Sequence, residues 1–278
     1  MANDTANTKS LIVEQVASTL VEPLEAASVV LAANPTIFNS SEPLRIPTLS
    51  AGVDPAWTGE NELIAEDTAE FGEIALMPSD RKSIKTITRV SNELIRAAKI
   101  GVSAVLQQRL VKDVQSKLDT ALLVGDGADK SVTGIFNQAG TTQVEGALNA
   151  PDTFLDALAI AASNEVVPNR FFINGTDFYT LRKVKDSQGR YLIQENLQDD
   201  VTYRLFGVPV SVSNKVPAGK AALVDMAQVA VVRDIDPQVA ILTERYAEYD
   251  QVGIRVTTRY DLGLLHPEGV TIITPAGA

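Results

Sequence analysis

The sequence has 278 residues, 45% of them hydrophobic, with one histidine, no cysteine and a formal net charge of −11. This composition allows one large or two modest globular domains, and it excludes disulfides, thiolate chemistry and zinc sites built from several His or Cys ligands. The negative charge argues against sequence-independent nucleic-acid binding, and no apolar run approaches the roughly 20 residues that span a bilayer, so we expect no metal, cofactor or membrane partner.

The N-terminal segment begins with polar residues and lacks the order of a signal peptide. Apolar residues then follow helical spacing over residues 10–33, with Pro23 in the middle, which predicts a kinked amphipathic helix. Such an arm needs another surface to lie on. Residues 34–50 contain three prolines, and RIPTLS within them is predicted as a short strand.

Residues 51–82 are acidic, lack a helical stripe and hold the only tryptophan, Trp57. We interpret them as a long excursion that forms a two-stranded hairpin, and long excursions usually carry function or interaction. Glu66 and Asp67 offer the paired carboxylates of a glycosidase, but clustering in an acidic loop favours a solvated or partner-facing loop. The following SIKTITRV alternates like a strand.

The clearest predicted element is a helix over residues 89–124, about 50 Å long. A helix packed within the domain is favoured over an isolated coiled coil, because the apolar pattern does not extend into a longer heptad array. Further helices are predicted over 152–166 and 177–186, the second capped by Asn174 or Thr176. The predicted strands that follow are NRFFIN, a segment after Gly189, VPVSVSN, KAALVDM, VAVVRDI, VAILTER, GIRVTTRYDLGLL and VTIIT. Helices that come early and strands that dominate late indicate the α+β class.

The long helix ends in the loop VGDGADKSVTG, residues 124–134. A phosphate-binding loop would need glycine where Lys130 stands and would follow a strand, and a calcium loop would need a closing glutamate. A structural turn fits better, with Gly125 in the left-handed conformation that closes a helix and Asp126-Gly127 as the turn pair. His266 precedes Pro267 and is interpreted as a turn or strand-end residue, so no catalytic residue is predicted.

Several segments together, in this order, resemble the major capsid proteins of tailed bacteriophages, which have the Hong Kong 97-type fold. They cover about residues 10–274, and the ordered set carries the resemblance because no single motif is specific. The segments are LDTALLVGDGADKSVTGIFN, FFINGTDFYTLRKVKDSQGRYLI, LFGVPVSVSNKVPAGKAALVDMAQVAVVRD and VGIRVTTRYDLGLLHPEGVTII.

The resemblance implies an N-terminal arm, an extended loop, and a peripheral and an axial domain. The implied boundaries are 1–34 for the arm, 35–49 and 83–130 for the peripheral domain with its spine helix, 50–82 for the extended loop, 131–233 for the axial domain, and 234–278 for the return to the peripheral domain. The loop would lie over a neighbouring subunit, and its expected inter-subunit contacts are Trp57, Leu63, Ile64, Phe71, Ile74, Arg81 and Lys82. The turn at Gly125, Asp126 and Gly127 would lead from the spine helix into the axial domain.

The implied function is self-assembly through pentamers and hexamers into an icosahedral shell around double-stranded DNA, with no enzyme activity. The protein would reside in the virion after assembly in the bacterial cytoplasm. Its expected partners are further copies, a separate scaffolding protein, a portal, a capsid maturation protease and a decoration protein, with packaged DNA held without specific binding. The alternative is an encapsulin-type shell around cargo enzymes.

Two departures from the family pattern shape these expectations. Some members join subunits covalently through a lysine, an asparagine and a catalytic glutamate, but residues 79–82 and 257–259 here do not reproduce that set, so we predict non-covalent assembly. The arm starts almost at Met1, and we therefore expect no internal scaffolding region, so that either a separate scaffolding protein exists or none is needed.

Overall fold

The structure is a computed structural model that describes residues 28–51, 57–59, 70–77, 83–93, 102–185, 188–189, 203–234, 238–242 and 244–275. Within these residues the α-helices are α1 Val102–Val124, α2 Pro151–Ser163 and α3 Gly175–Arg182. The strands are β1 Thr36–Asn39, β2 Leu44–Ala51, β3 Glu70–Leu76, β4 Ile84–Ser91, β5 Thr142–Glu145, β6 Arg170–Ile173, β7 Arg204–Leu205, β8 Val208–Val212, β9 Ala221–Val224, β10 Val229–Arg233, β11 Gln238–Leu242, β12 Gln251–Thr258, β13 Tyr260–Leu264 and β14 Val270–Thr274. This mixture confirms the predicted α+β class.

The helix predicted over residues 89–124 starts too early in that prediction. Residues 89–91 belong to strand β4, where they pair with residues 251–253 of β12. The alternation of SIKTITRV continues through them, and pairing with a neighbouring strand outweighs a weak helical preference. Further along, the predicted apolar stripe of α1 is confirmed by four buried side chains at the spacing of the helix: Leu110, Val114, Leu118 and Leu122.

The largest sheet has six strands in the order β5-β14-β9-β6-β8-β7. Successive residues of a strand point to opposite faces, so each face builds a separate hydrophobic cluster. One cluster joins the sheet to α1 through Phe172, Ala222, Ile272, Leu118 and Leu122. The other joins the sheet to α2 and α3 through Phe171, Leu223, Ile273, Phe154 and Leu181. The sheet therefore lies between α1 on one side and the two shorter helices on the other.

A three-stranded sheet in the order β1-β10-β13 lies beside the α1 cluster. Its central strand β10 is apolar on both faces, as expected of a strand buried on both sides. Val229 and Val231 join the cluster that contains α1, whereas Ala230 and Val232 pack with the base of the β2–β3 hairpin. Strand β10 thus connects the main core to the root of that hairpin.

Of the acidic excursion, residues 52–56, 60–69 and 78–82 lie outside the described residues, and its strand β3 pairs with a strand that contains RIPTLS, so the hairpin starts earlier in the chain than predicted. Strands β2 and β3 pair antiparallel from Leu44 opposite Leu76 to Ala51 opposite Glu70. The remaining strands form a third sheet in the order β11-β12-β4. The segment GIRVTTRYDLGLL, predicted as one strand, is two strands, because the chain leaves β12 after Thr258 and enters β13 in a different sheet.

The ends of the shorter helices agree with the sequence-based predictions to different degrees. Asn174 caps α3, and its side chain accepts a hydrogen bond from the Thr176 amide at 3.0 Å. Helix α3 covers 175–182 where 177–186 was predicted, and α2 ends at Ser163. Only the last turn of the predicted arm helix falls within the described residues, and it is a 3-10 turn that Asn34 ends in the left-handed conformation.

The resemblance implies a domain boundary at residue 233, but the strands before and after that residue are not sorted into separate sheets. Strand β10 lies before that boundary but pairs with β1 and β13. Strand β14 lies after it but pairs with β5 and β9 in the six-stranded sheet. The chain therefore passes between the two sheets more often than a single boundary implies.

Candidate functional site

The loop that follows α1 is closed by its own backbone. The Gly125 amide donates to the Ala121 carbonyl at 3.0 Å, and the Gly134 amide donates to the Gly125 carbonyl at 2.8 Å. Gly127, with φ 70°, adopts the left-handed conformation, as do Asp129 and Lys130 with φ 52° and 63°, whereas Gly125, for which it was predicted, does not. Gly125 is instead required by space, because a Cβ there would strike the carbonyl oxygen of Val132.

Side-chain hydrogen bonds add to those of the backbone in holding this loop. Asp126 accepts a hydrogen bond from the Ala128 amide at 2.9 Å, and the Asn137 side chain donates to the Val124 and Gly125 carbonyls at 2.9 and 3.0 Å. The Ser131 amide donates to the Ala128 carbonyl. These bonds supply a structural role for Asp126 and the two glycines that sequence analysis assigned to the turn.

A buried aspartate on α1 holds the segment before β1, which contains the last residues of the predicted N-terminal arm. Asp119 is 1% exposed and accepts hydrogen bonds from the Ser28 hydroxyl at 2.6 Å and from the Val29 amide at 3.1 and 3.3 Å. Gln115 also donates to it at 3.3 Å. Ser28 itself is buried and accepts from the Leu31 amide. We call this group the arm anchor.

A second buried aspartate holds the root of the hairpin. Asp261 on β13 is fully buried and accepts a hydrogen bond from the Met77 amide at 2.7 Å, immediately after β3. Its other oxygen accepts from the Leu262 amide at 2.9 Å. Beside it, Gly263 leaves room for Leu76, whose side chain would collide with any Cβ at that position. We call this group the loop anchor.

Neither anchor was predicted from the sequence, although each aspartate occupies a position where the pattern calls for an apolar residue. Asp119 interrupts the apolar stripe of α1 next to Leu118, and Asp261 stands inside an apolar strand. A buried carboxylate must be hydrogen-bonded, so an acidic residue at a core position points to a nearby donor. The identity of that donor depends on the tertiary fold, since Ser28 is 91 residues away and Met77 is 184 residues away.

The inter-subunit contacts expected on the loop fall in three groups. Leu63, Ile64, Arg81 and Lys82 lie outside the described residues, and of Phe71 only its place in β3 is described. Ile74 is half-buried in the cluster at the base of the hairpin of its own chain. Trp57 is fully exposed. Their contacts with other copies stay predictions.

The third sheet exposes positively charged side chains that lie far apart in sequence. Lys85 and Arg89 on β4 and Arg255 on β12 point to the same face, because Ile87 pairs with Arg255 and Arg89 pairs with Gly253. Arg89 also lies 5.5 Å over the ring of Tyr246. Sequence analysis missed this surface because no basic run marks it.

Two further observations concern other kinds of site. Within the described ranges, no three His, Cys, Asp or Glu side chains gather where they could hold a metal ion. In that same part of the chain no helix is long and apolar enough to cross a membrane. His266 lies between β13 and the 3-10 turn Pro267–Gly269, the position that sequence analysis predicted for it.

Comparison with solved structures gives a consistent fold. The capsid of a native GTA particle superposes with a TM-score of 0.75 at 19% identity, over 90% of this chain and 90% of that chain. A chain from Microbacterium phage Oxtober96 gives 0.74 at 18% identity, over 89% and 91% of the two chains. A chain from Mycobacterium phage Adephagia gives 0.71 at 16% identity, over 90% and 91%. The fold is therefore the Hong Kong 97-type capsid fold that the resemblance implied.

Sequence comparison agrees with the fold. The major capsid protein of Klebsiella oxytoca phage phiKO2 is 23% identical in an alignment of 261 residues that covers 83% of this chain. The chain spans 59% of the length of that curated relative. The model of the phage capsid family matches residues 9–274, which is nearly the whole sequence. The chain belongs to the phage capsid family.

Proposed function

We propose that this protein is the major capsid protein of a tailed phage or prophage, which assembles through pentamers and hexamers into an icosahedral shell around double-stranded DNA. The match to the phage capsid family over residues 9–274 carries this proposal. The likeness to the capsid of a GTA particle and to chains from phages supports it over an encapsulin-type shell around cargo enzymes. Its role is structural, and we propose no catalytic function.

The two anchors support this function. An arm and a loop that extended from the body would bury little within their own subunit, and ordering each residue would cost about 1–2 kcal/mol of backbone entropy. Contacts with other copies offset that cost in a shell. Asp119 and Asp261 fix the points from which the two extensions depart, so that both reach neighbouring copies in a defined direction.

We propose the domain organisation implied by the resemblance, with two changes. Residues 1–34 form the arm, 50–82 the extended loop, 35–49 and 83–130 the peripheral domain, 131–233 the axial domain, and 234–278 the return. Strand β10 is reassigned to the peripheral domain and β14 to the axial domain, which is supported by their strand partners. The loop at Gly125 is then the turn between the two domains.

The charge of the chain suits a shell that encloses DNA without specific binding. With a formal net charge of −11, the subunit does not attract a polyanion as a whole. We further propose that assembly takes place in the cytoplasm of the host bacterium, with a separate scaffolding protein, a portal, a maturation protease and a decoration protein as partners, and that the protein ends in the virion.

The size and content of the particles formed by purified recombinant protein test this function. Light scattering and negative-stain microscopy are expected to detect closed shells or rings of five and six subunits. Shells from the native host are expected to contain double-stranded DNA, whereas a cargo protein in place of nucleic acid would favour an encapsulin. A protein that stays monomeric or dimeric, alone and with a scaffolding protein encoded nearby, would refute the proposal.

The proposed mode of assembly has its own test. Because residues 79–82 and 257–259 do not reproduce the cross-linking set, shells boiled in detergent are expected to give a single band near 29.8 kDa. A ladder of multimers would contradict non-covalent assembly while leaving the capsid function intact.

A further inference from the structure

A half-buried lysine on the loop between β8 and β9 is held against α1. The Lys215 ammonium donates a hydrogen bond to the Ser116 hydroxyl at 2.6 Å, across 99 residues of sequence. The next residue, Val216, is buried in the core, and its carbonyl accepts a hydrogen bond from the Asn174 side chain at 2.7 Å. The loop therefore fixes the place where the Lys215 side chain meets the helix.

The positive charge of Lys215 has no carboxylate partner among the described residues. An ammonium group carries three donors, and the one that is used here binds a neutral hydroxyl. Lys112, one helical turn before Ser116, adds a second positive charge on the same face of α1, and it too forms no ion pair in that part of the chain. A partly buried ammonium favours a carboxylate partner. We call Lys112, Ser116 and Lys215 the lysine seat.

The arm anchor lies on the same face of α1, one turn further along. Asp119 follows Ser116 by three residues and Lys112 by seven, so these side chains share one stripe of the helix. Asp119 also holds the Ser28 hydroxyl and the Val29 amide. At 1.5 Å per residue, the chain before residue 28 therefore starts about 4.5 Å from Ser116 along the helix axis.

The segment that precedes the anchor carries the opposite charge. Residues 10–27 hold three acidic and no basic residues. They lie outside the described residues, and sequence analysis predicts them as part of an amphipathic helix. A helix that ran along α1 in the same direction would place Glu25 level with Ser116 and Glu22 within one residue of the level of Lys112, because the anchor sets the two segments side by side.

We propose that residues 22–27 dock on α1 of their own subunit, with Glu25 on Lys215 and Glu22 on Lys112. Three residues separate Glu25 from the anchored Ser28, a span of about 10 Å at most, so the tether keeps Glu25 within reach of the seat. The same tether gives these carboxylates a far higher effective concentration than those of other copies. The arm then leaves the body near Lys112. This inference goes beyond the proposed function, because it holds for a single subunit.

Carbodiimide coupling of the wild-type subunit tests the contact directly. The reagent joins a carboxylate to an ammonium that touches it, with loss of water, and mass spectrometry identifies the linked peptides. Glu25 is expected to link to Lys215. Glu22 is expected to link to Lys112, and neither is expected to link to Lys183, which is exposed on another element. A mixture of isotope-labelled and unlabelled subunits, kept below the concentration at which copies assemble, is expected to give links only within one chain.

Charge reversal tests whether these pairs hold the arm. Lys112→Glu with Lys215→Glu is expected to speed thermolysin cleavage within residues 10–27 by roughly fivefold or more, because cleavage follows the fraction of time that the arm is released. Glu22→Lys with Glu25→Lys is expected to have the same effect. The fourfold variant, which restores opposite signs, is expected to return the rate to within about twofold of the wild type.

Matched controls separate these pairs from a general effect of charge. Lys117→Glu with Lys183→Glu makes the same change in net charge at exposed positions off the seat and is expected to leave the cleavage rate unchanged. Urea melts establish that each variant folds, and Lys112→Ala with Lys215→Ala serves if the reversed pair does not fold. Rising NaCl is expected to speed cleavage of the wild-type arm more than that of the alanine variant, because salt screens the attraction.

Every other result overturns the inference. Links between chains would show that the arm of a second copy occupies the seat. A cleavage rate that does not respond to reversal, or that the fourfold variant fails to restore, would show that these pairs do not hold the arm. Reversal of the two lysines that lowers binding of a short DNA duplex without releasing the arm would identify a phosphate-binding surface. The capsid function stands in each case, because every assay uses the unassembled subunit.

Discussion

The arm anchor makes a specific prediction about stability. Replacing Asp119 with alanine removes the acceptor for the Ser28 hydroxyl and the Val29 amide, at 2.6 and 3.1 Å. Each of these two donors costs about 1–3 kcal/mol when it is left without an acceptor, or about 2–6 kcal/mol for both. Alanine returns about 0.5 kcal/mol through its higher helix propensity, and removal of a buried charge returns a further part of the cost. We therefore expect the free energy of unfolding to fall by about 3 kcal/mol.

Urea denaturation of the unassembled subunit measures this change. At a slope of about 3 kcal/mol per molar urea, the midpoint is expected to fall by roughly 1 M. The protein concentration is kept below the assembly threshold, because binding between copies adds apparent stability. The matched control is Asp113→Ala on the same helix, where the carboxylate is exposed and pairs with Arg109 at 3.1 Å. That change is expected to shift the free energy by no more than about 0.5 kcal/mol.

Asp119→Asn tests whether hydrogen bonding and charge, rather than side-chain volume, account for the effect. Its amide group directs N–H donors at the Ser28 hydroxyl or the Val29 amide, so a loss of about 2 kcal/mol is expected although the shape is kept. If Asp119→Ala destabilises the subunit no more than Asp113→Ala does, the reasoning about the arm anchor is wrong.

Three further predictions concern the loop anchor, the glycine turn and the cap of α3. Asp261→Ala is expected to cost about 2–3 kcal/mol in the same urea assay, because the Met77 amide loses its acceptor, and a loss below about 1 kcal/mol would contradict this. Gly134→Ala would place a Cβ 2.5 Å from the Leu123 carbonyl oxygen, whereas Gly207→Ala changes a residue at φ 85° with open space around it. Gly207→Ala is expected to lower the stability by about 1–2 kcal/mol, and Gly134→Ala is expected to lower the melting temperature further. The reverse order would refute the steric account. Asn174→Ala is expected to cost about 1–2 kcal/mol, and an unchanged melting temperature would show that this cap is dispensable.

Local signals in the sequence predicted the elements whose causes are local. The apolar stripe of α1 follows from the helical period, and the cap at Asn174 depends on an amide two residues away. The strand–helix boundary at residues 89–91 was missed because pairing with β12, more than 150 residues later, decides it. The sequence also could not predict which glycine of the loop has a positive φ, because Gly125 and Gly127 are two residues apart and either one fits a turn.

The functional surfaces depend almost entirely on distant pairing. Each anchor joins a carboxylate to an amide far along the chain. Lys85, Arg89 and Arg255 share one face of the third sheet only because β4 and β12 are neighbours in a fixed register. A register shifted by one residue would turn Arg255 away from Lys85 and Arg89, since alternate residues point to opposite faces. Composition and periodicity carry no information about such a register.

The place of β14 in the six-stranded sheet has a consequence for synthesis. This strand is the last of the described strands to leave the ribosome, yet it lies between β5 and β9 and pairs with both. Until it arrives, β5 has no partner in the sheet and one edge of β9 is open. Closure over such a long separation is slow and cooperative. The nascent chain therefore cannot complete its core early, because the six-stranded sheet closes only once residues 270–274 have been made.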